Sequence, residues 1–153
     1  MALPDVFSQE VTKHLIDRIS KLKPDTQPQW GKMNVAQMLA HCCVTYEYVY
    51  EPAKYSKPGV IFGWVLRKFV KKGVTDESPY KKNLKTAPDF IIKDSRDFEK
   101  EKERLIGFVL RACKDGTQFF DGKESHSFGK LNITEWNNMF YKHLDHHLTQ
   151  FGV

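Results

Sequence analysis

Apolar residues recur at helical spacing in four stretches of the chain. In the first, Phe7, Val11, Leu15, Ile19 and Leu22 follow at three- and four-residue steps and so share one face. The pattern predicts a helix over Val6–Leu22, ended by Pro24. A second helix is predicted from Asn34, with Val35, Met38, Leu39, Cys42, Tyr46 and Val49 as its stripe and Pro52 as its stop. Asn34 and Gln37 have the spacing of a capping box, in which the two side chains satisfy each other's orphan backbone N–H groups. A third helix is predicted from Asp94 or Ser95 to Cys113, buried along Phe98, Leu105, Val109 and Ala112 and halted at Gly116. The last runs from Asn132, again with a capping-box partner at Glu135, to Phe151.

The connection Ala53–Lys93 breaks this rhythm with Pro58, Pro79, Pro88, Gly59, Gly63 and Gly73. A structureless link of that length is uncommon inside one domain. Val60–Val70 is therefore expected to form a short amphipathic helix packed across the core, with Trp64 or Phe69 tucked against it and the lysines in water. No stretch alternates convincingly as a strand. The expectation is an all-α fold: a single domain, residues 1–153, built as a four-helix bundle with a long crossover between helices two and three.

Composition adds limits. With 41% hydrophobic and 28% charged residues, the balance is that of an ordinary globular chain. The net charge of +5 is concentrated in one place. Nine Lys/Arg stand against only Asp76 and Glu77 between Lys54 and Lys85, so the remainder is slightly acidic. The basic stretch lacks a nucleic-acid motif and interleaved stacking aromatics, so no nucleic-acid partner is expected. No apolar run is long enough to span a bilayer, and no membrane partner is expected. Three cysteines, Cys42, Cys43 and Cys113, two of them adjacent, argue against a disulfide framework and for a reducing, cytoplasmic setting. The start of the chain lacks the pattern of a signal peptide.

The chemistry concentrates in Tyr141-Lys-His-Leu-Asp-His-His-Leu-Thr-Gln-Phe151. His143 and His147 are four apart, so on a helix they lie one above the other, on the face that carries Trp136, Phe140 and Phe151. His146 falls beside Lys142 and Thr149, the expected wet side. Two imidazoles so spaced can chelate one ion, and His41, at the edge of the second helix's stripe, is the candidate third ligand. The bland reading is two polar residues at a core boundary. Cys42, Cys43 and Cys113, with Tyr46, Tyr48 and Tyr50, read as packing. Asp145 and Glu47 read as surface acids or as partners of an imidazole N–H.

Trp30-Gly-Lys-Met-Asn-Val-Ala-Gln-Met-Leu-Ala-His-Cys42 resembles the second-helix signature of the DinB/YfiT-like superfamily. Phe128-Gly-Lys-Leu, Glu135-Trp and the histidine run resemble the end of one uncharacterised branch of it. The resemblance implies a four-helix bundle with a divalent metal on His41, His143 and His147. It also implies a small-molecule enzyme, because some relatives are thiol S-transferases using low-molecular-weight thiols and others metal-dependent isomerases. Where that pattern has a His-Pro pair before Phe-Gly, this chain has Ser125-His126-Ser127-Phe128, and His126 is assigned no role.

Three neutral ligands would leave a coordination position for water or substrate, whereas a structural zinc site usually has four protein ligands. All-imidazole ligation suits zinc, nickel, iron or copper, and zinc or nickel is expected first, with iron next. The expectation is a metal-dependent transferase, of thiol S-transfer type, or a hydrolase acting on a small-molecule substrate. The alternative is a helical bundle that binds metal or a partner without turnover. A homodimer is an open option.

Overall fold

The computed structural model describes residues 2–153, and they are mostly helical. In chain order the elements are α1 (Gln9–Lys21), α2 (Val35–Tyr50), the short helices α3 (Val60–Val65) and α4 (Lys71–Thr75), α5 (Phe98–Phe120), the strands β1 (Glu124–Ser125) and β2 (Gly129–Lys130), and α6 (Ile133–Gln150). Among the described residues no helix is long and apolar enough to cross a membrane.

Both expected capping boxes form. Asn34 accepts from the Gln37 N–H and Asn132 from the Glu135 N–H, and each partner side chain returns the bond. The first helix starts later than expected, because Ser8 is its cap and accepts from the Val11 N–H. Val6 and Phe7 are buried ahead of it. There the Val6 carbonyl accepts from Thr12 and the Val6 N–H donates to Asn137.

The four long helices pack around one core, in which Leu15, Ile19, Met38, Leu39, Leu105, Trp136, Phe140 and Leu148 are fully buried. The third long helix departs from expectation at both ends. It begins after Asp97, which caps Lys100, and it continues past Gly116 to Phe120. Gly116 has φ +68°, so it breaks the helical backbone, but the chain resumes its turn beyond it. The reason is Phe120, fully buried with its ring 5.2–5.3 Å from those of Phe7, Trp136 and Phe140. Burying such a side chain contributes about 2–3 kcal/mol, more than a local helix break costs. Beyond it, β1 and β2 form a two-residue antiparallel hairpin, Glu124 opposite Lys130, which the sequence pattern did not foreshadow.

The crossover corrects the expectation most. It is held to α6 by polar atoms. Lys71 pairs with Glu135 at 2.8 Å, Asn138 donates to the Thr75 carbonyl at 2.9 Å, and Lys142 donates to the Gly73 carbonyl at 2.9 Å and to Asp76 at 2.8 Å. Asn138 and Lys142 thus cap the open carbonyl end of α4. Lys142, expected in water, is only 5% exposed. Trp64 and Phe69, expected to tuck inward, are 51% and 68% exposed. Between α3 and α4 the residues Leu66–Val70 wind as a π-helix, so the three pieces form one irregular rod over 60–75.

Candidate metal centre

His41 stands in the middle of α2, and His143 and His147 stand one turn apart on α6. The three rings converge, with centroids 4.4–4.9 Å apart. One nitrogen from each lies within 4.8 Å of the others, and His41 Nε2 and His143 Nε2 are 2.9 Å apart. Among the described residues no further His, Cys, Asp or Glu joins the group.

The far side of each ring is hydrogen-bonded, and this fixes what the near side offers. His41 Nδ1 lies 2.8 Å from the Phe90 carbonyl, an acceptor only, so the proton sits on Nδ1 and Nε2 presents a lone pair. His147 Nδ1 lies 2.8 Å from Gln150 Oε1. The Gln150 amide is oriented in turn, because its Nε2 donates to the Trp30 carbonyl at 2.7 Å. His147 Nε2 is therefore also a lone pair. His143 Nδ1 lies 3.0 Å from the Thr45 hydroxyl, which can either accept or donate. A hydroxyl there lets His143 carry a proton on Nε2, bridging to His41, or present a third lone pair. Two bare lone pairs at 2.9 Å would repel, so a proton or a cation belongs between them.

The donor set fits a metal ion. Neutral imidazoles whose outer nitrogens are hydrogen-bonded, as all three are here, are the usual dressing of a bound divalent ion. A tetrahedral ion with ~2.0–2.1 Å bonds would set the nitrogens about 3.3 Å apart, inside the observed spread of 2.9–4.8 Å. Electrostatics agree, because ligands must be unprotonated. Burial pushes the His147 pKa down to about 3, helped by His41 nearby and opposed by the Gln150 bond. Burial and the neighbouring His147 and His41 hold His143 well below the usual histidine value, and burial lowers His41 as well. His41 and His147 are buried residues, and the His143 ring is as desolvated as theirs although the residue as a whole is half-buried.

The residues around the cluster sort differently from the expectation. His146 does not join it, but neither is it on a wet face. Its ring packs edge-on between Trp30, at 5.7 Å, and Tyr80, at 5.8 Å, and burial lowers its pKa. Asp145 pairs with Arg18 at 2.7 Å, and Glu47 lies in a separate charged cluster with Arg104, so neither holds an imidazole. Cys42 is in the hydrophobic core, its thiol pushed well up by burial, and Cys43 is likewise pushed up to about 12. All three cysteines are free. The ring of Tyr46 stacks on Phe140 at 4.8 Å. Sequence reasoning missed Thr45, Gln150 and the Phe90 carbonyl. Gln150 carried a signal, at three residues from His147 on the same helix, as did the pairing of Trp30-Gly31 with the chain's end. Gly31 has φ +86°, and a Cβ there would lie 2.6 Å from Gln150 Nε2.

Searches of curated proteins and of solved structures returned no significant match. A family model matches residues 8–152, which is nearly the whole chain, and its description is "Protein of unknown function (DUF1569)". The match contains all three converging histidines and the elements that carry them, and the chain belongs to the DUF1569 family.

Proposed function

We propose that His41, His143 and His147 hold one divalent metal ion, zinc or nickel before iron, and that the protein is a metal-dependent enzyme acting on a small molecule. The observation that supports this is the convergence of one ring nitrogen from each of three histidines whose Nδ1 atoms all have hydrogen-bond partners. The absence of a fourth protein ligand among the described residues supports an open coordination position over a closed structural site. We further propose that the four long helices form a bundle of the DinB/YfiT-like type, since the ligands come one from the second long helix and two, four apart, from the last.

When bound, the ion would supply Lewis acidity, which activates an oxygen nucleophile for hydrolysis or stabilises a thiolate for transfer. The chain's own residues set the stage for either. Phe90 directs its carbonyl at His41 and sets its ring 5.7 Å from His143, so one backbone segment orients a ligand and walls the site. A low-molecular-weight thiol is the substrate class to test first.

The test is metal analysis of protein purified without chelator, followed by titration of the chelated protein. One equivalent should bind, and His143→Ala or His147→Ala should weaken binding on the order of 1,000-fold, about 4 kcal/mol. Metal-dependent turnover in a small-thiol screen would then separate the enzyme from a non-catalytic binder. Failure of the wild-type protein to bind zinc, nickel or iron would end the proposal.

A further inference from the structure

The irregular rod over 60–75 is assembled the wrong way round for a helix that merely covers a core. Its inward positions are Gly63 and Thr75, both buried, and its ties to α6 are polar. Five of its apolar residues face out, Val60, Ile61, Phe62, Trp64 and Phe69, exposed from 51% at Trp64 to 88% at Val60, while Val65, Leu66 and Val74 are half-buried. These are contiguous residues of one element, not scattered surface hydrophobics, and such a patch marks a surface that something covers.

The charges say what covers it. Between Lys54 and Thr75 there are six Lys/Arg and no acid. Lys54 and Lys71 are held in ion pairs with acids elsewhere. Arg67, Lys68 and Lys72 are exposed and have no ion-pair partner among the described residues. Lys68 lays its ammonium 4.8 Å from the Trp64 ring centre and 5.6 Å from that of Phe69, so cation and aromatic surface form one unit. A second copy of this chain fits poorly, because a two-fold contact would bring these unpaired cations against themselves. A nucleic-acid duplex would satisfy the cations and leave the apolar residues in water. A bilayer with anionic headgroups satisfies both. Trp and Phe enter at the headgroup–acyl boundary, and Arg and Lys reach the phosphates beside them.

We propose that the 60–72 segment docks the protein on anionic lipid membranes, lying in the interface without crossing it. The apolar side chains insert, Lys68 and Lys72 supply the attraction, and the polar ties to α6 hold the helical domain above the surface.

The test uses the full chain with vesicles of phosphatidylcholine, plain or with about one-third phosphatidylserine. Co-sedimentation should occur with the anionic vesicles only and weaken as salt rises. The double variant Lys68→Gln, Lys72→Gln should bind about 30-fold more weakly. Ile61→Ser with Trp64→Ser should reduce binding at least about tenfold. Both changes lie on exposed positions, and far-UV circular dichroism should be unchanged. Lipids brominated on the acyl chain should quench the fluorescence of the wild type, and Trp64→Phe should remove that quenching while leaving vesicle binding. No binding to anionic vesicles, or binding that these variants do not weaken, overturns the proposal. So does a dimer that Trp64→Ser splits with no vesicle binding, or tight duplex DNA binding indifferent to Ile61 and Trp64.

Discussion

Helix α2 carries two buried polar clusters less than two turns apart, and their chemistry is opposite. At His41 and Thr45 it meets the two histidines of α6, and at Glu47 it meets Glu101 and Arg104 of α5. The second cluster is complete in itself. Arg104 bridges both carboxylates, Tyr55 and Lys54 also reach Glu47, and Arg96 lies 3.6 Å from Glu101. Burial pushes Glu47 up, but the Tyr55 hydroxyl, Arg104 and Lys54 outweigh it and hold the carboxyl below its usual range. This cluster lines a cavity of about 520 Å³. The histidine cluster has hydrogen-bond partners on its outer atoms, while its inner nitrogens have only one another, His41 Nε2 lying 2.9 Å from His143 Nε2. The contrast shows that buried polarity alone does not identify the site; imidazole nitrogens turned toward one another do.

The largest stability effect should fall on the closed cluster. Arg104→Met removes the cation that Glu47 and Glu101 share, when both carboxylates are nearly fully buried. Breaking a buried pair from one side costs about 3–5 kcal/mol. The lower figure is expected, because Arg104 keeps 27% of its side chain exposed and Lys54, Tyr55 and Arg96 remain. Urea unfolding should show about 3 kcal/mol lost, with metal affinity unchanged. A loss of metal binding alongside stability would mean that the two clusters are coupled and the comparison fails.

Gln150→Leu asks the converse question of the open cluster. Gln150 orients His147 and touches no other histidine of the group, while its own amide is fixed by the Trp30 carbonyl. Loss of such a supporting bond typically weakens metal binding by about 10–100-fold. Isothermal titration should show that range, and full affinity in the variant would mean that the tautomer of His147 is set by something else.

The two clusters should also separate by pH in chelator-treated protein. Folding holds the His147 pKa at about 3 against the usual 6.5, so between those values the unfolded chain binds a proton that the folded one does not. Stability is therefore lost as pH falls below 6.5, at up to about 1.4 kcal/mol per pH unit from this residue. His41 and His143, also lowered, act in the same direction. Glu47 is lowered from the usual 4.5, so its contribution is present above that value and is lost only as pH falls further. Urea midpoints measured from pH 8 to 4 should stay level to about 6.5 and then decline, with saturating metal deferring the decline to lower pH. A flat profile between pH 7 and 5 would contradict neutral, buried imidazoles.

Much of this was legible in the residues. The capping boxes at Asn34 and Asn132 mark helix starts because the cap is a local hydrogen bond. The spacing of His143 and His147 places them together because helical geometry is local too. The structure brings His41 to them, as the resemblance implied. What was not legible is non-local. The Phe90 carbonyl is backbone, and nothing in its side chain announces that it will accept from His41. Lys142 reads as solvent-facing because charged residues usually are, and only the crossover's path turns it, with Asn138, into a cap for α4. Gly116 reads as a stop, and the burial of Phe120 beyond it overrides that signal.

The smallest effect is expected at His146, and it sharpens the comparison within a single helix turn. His146 neighbours a proposed ligand in sequence, and its ring centre is 5.1 Å from that of His147. Proximity alone would make it a plausible reserve ligand. Its ring is occupied between Trp30 and Tyr80, however, and its nitrogens are not part of the converging group. Removing it deletes edge contacts to Trp30, Tyr80 and His147 on a half-buried side chain, together worth about 1–2 kcal/mol. His146→Ala should therefore lower stability by about 1–2 kcal/mol and leave metal affinity within about threefold of the wild type. A direct titration of the variant beside His147→Ala settles the assignment. If the two lose affinity equally, the ligand set read from the geometry is wrong by one residue, and the lone pair on His147 has another purpose.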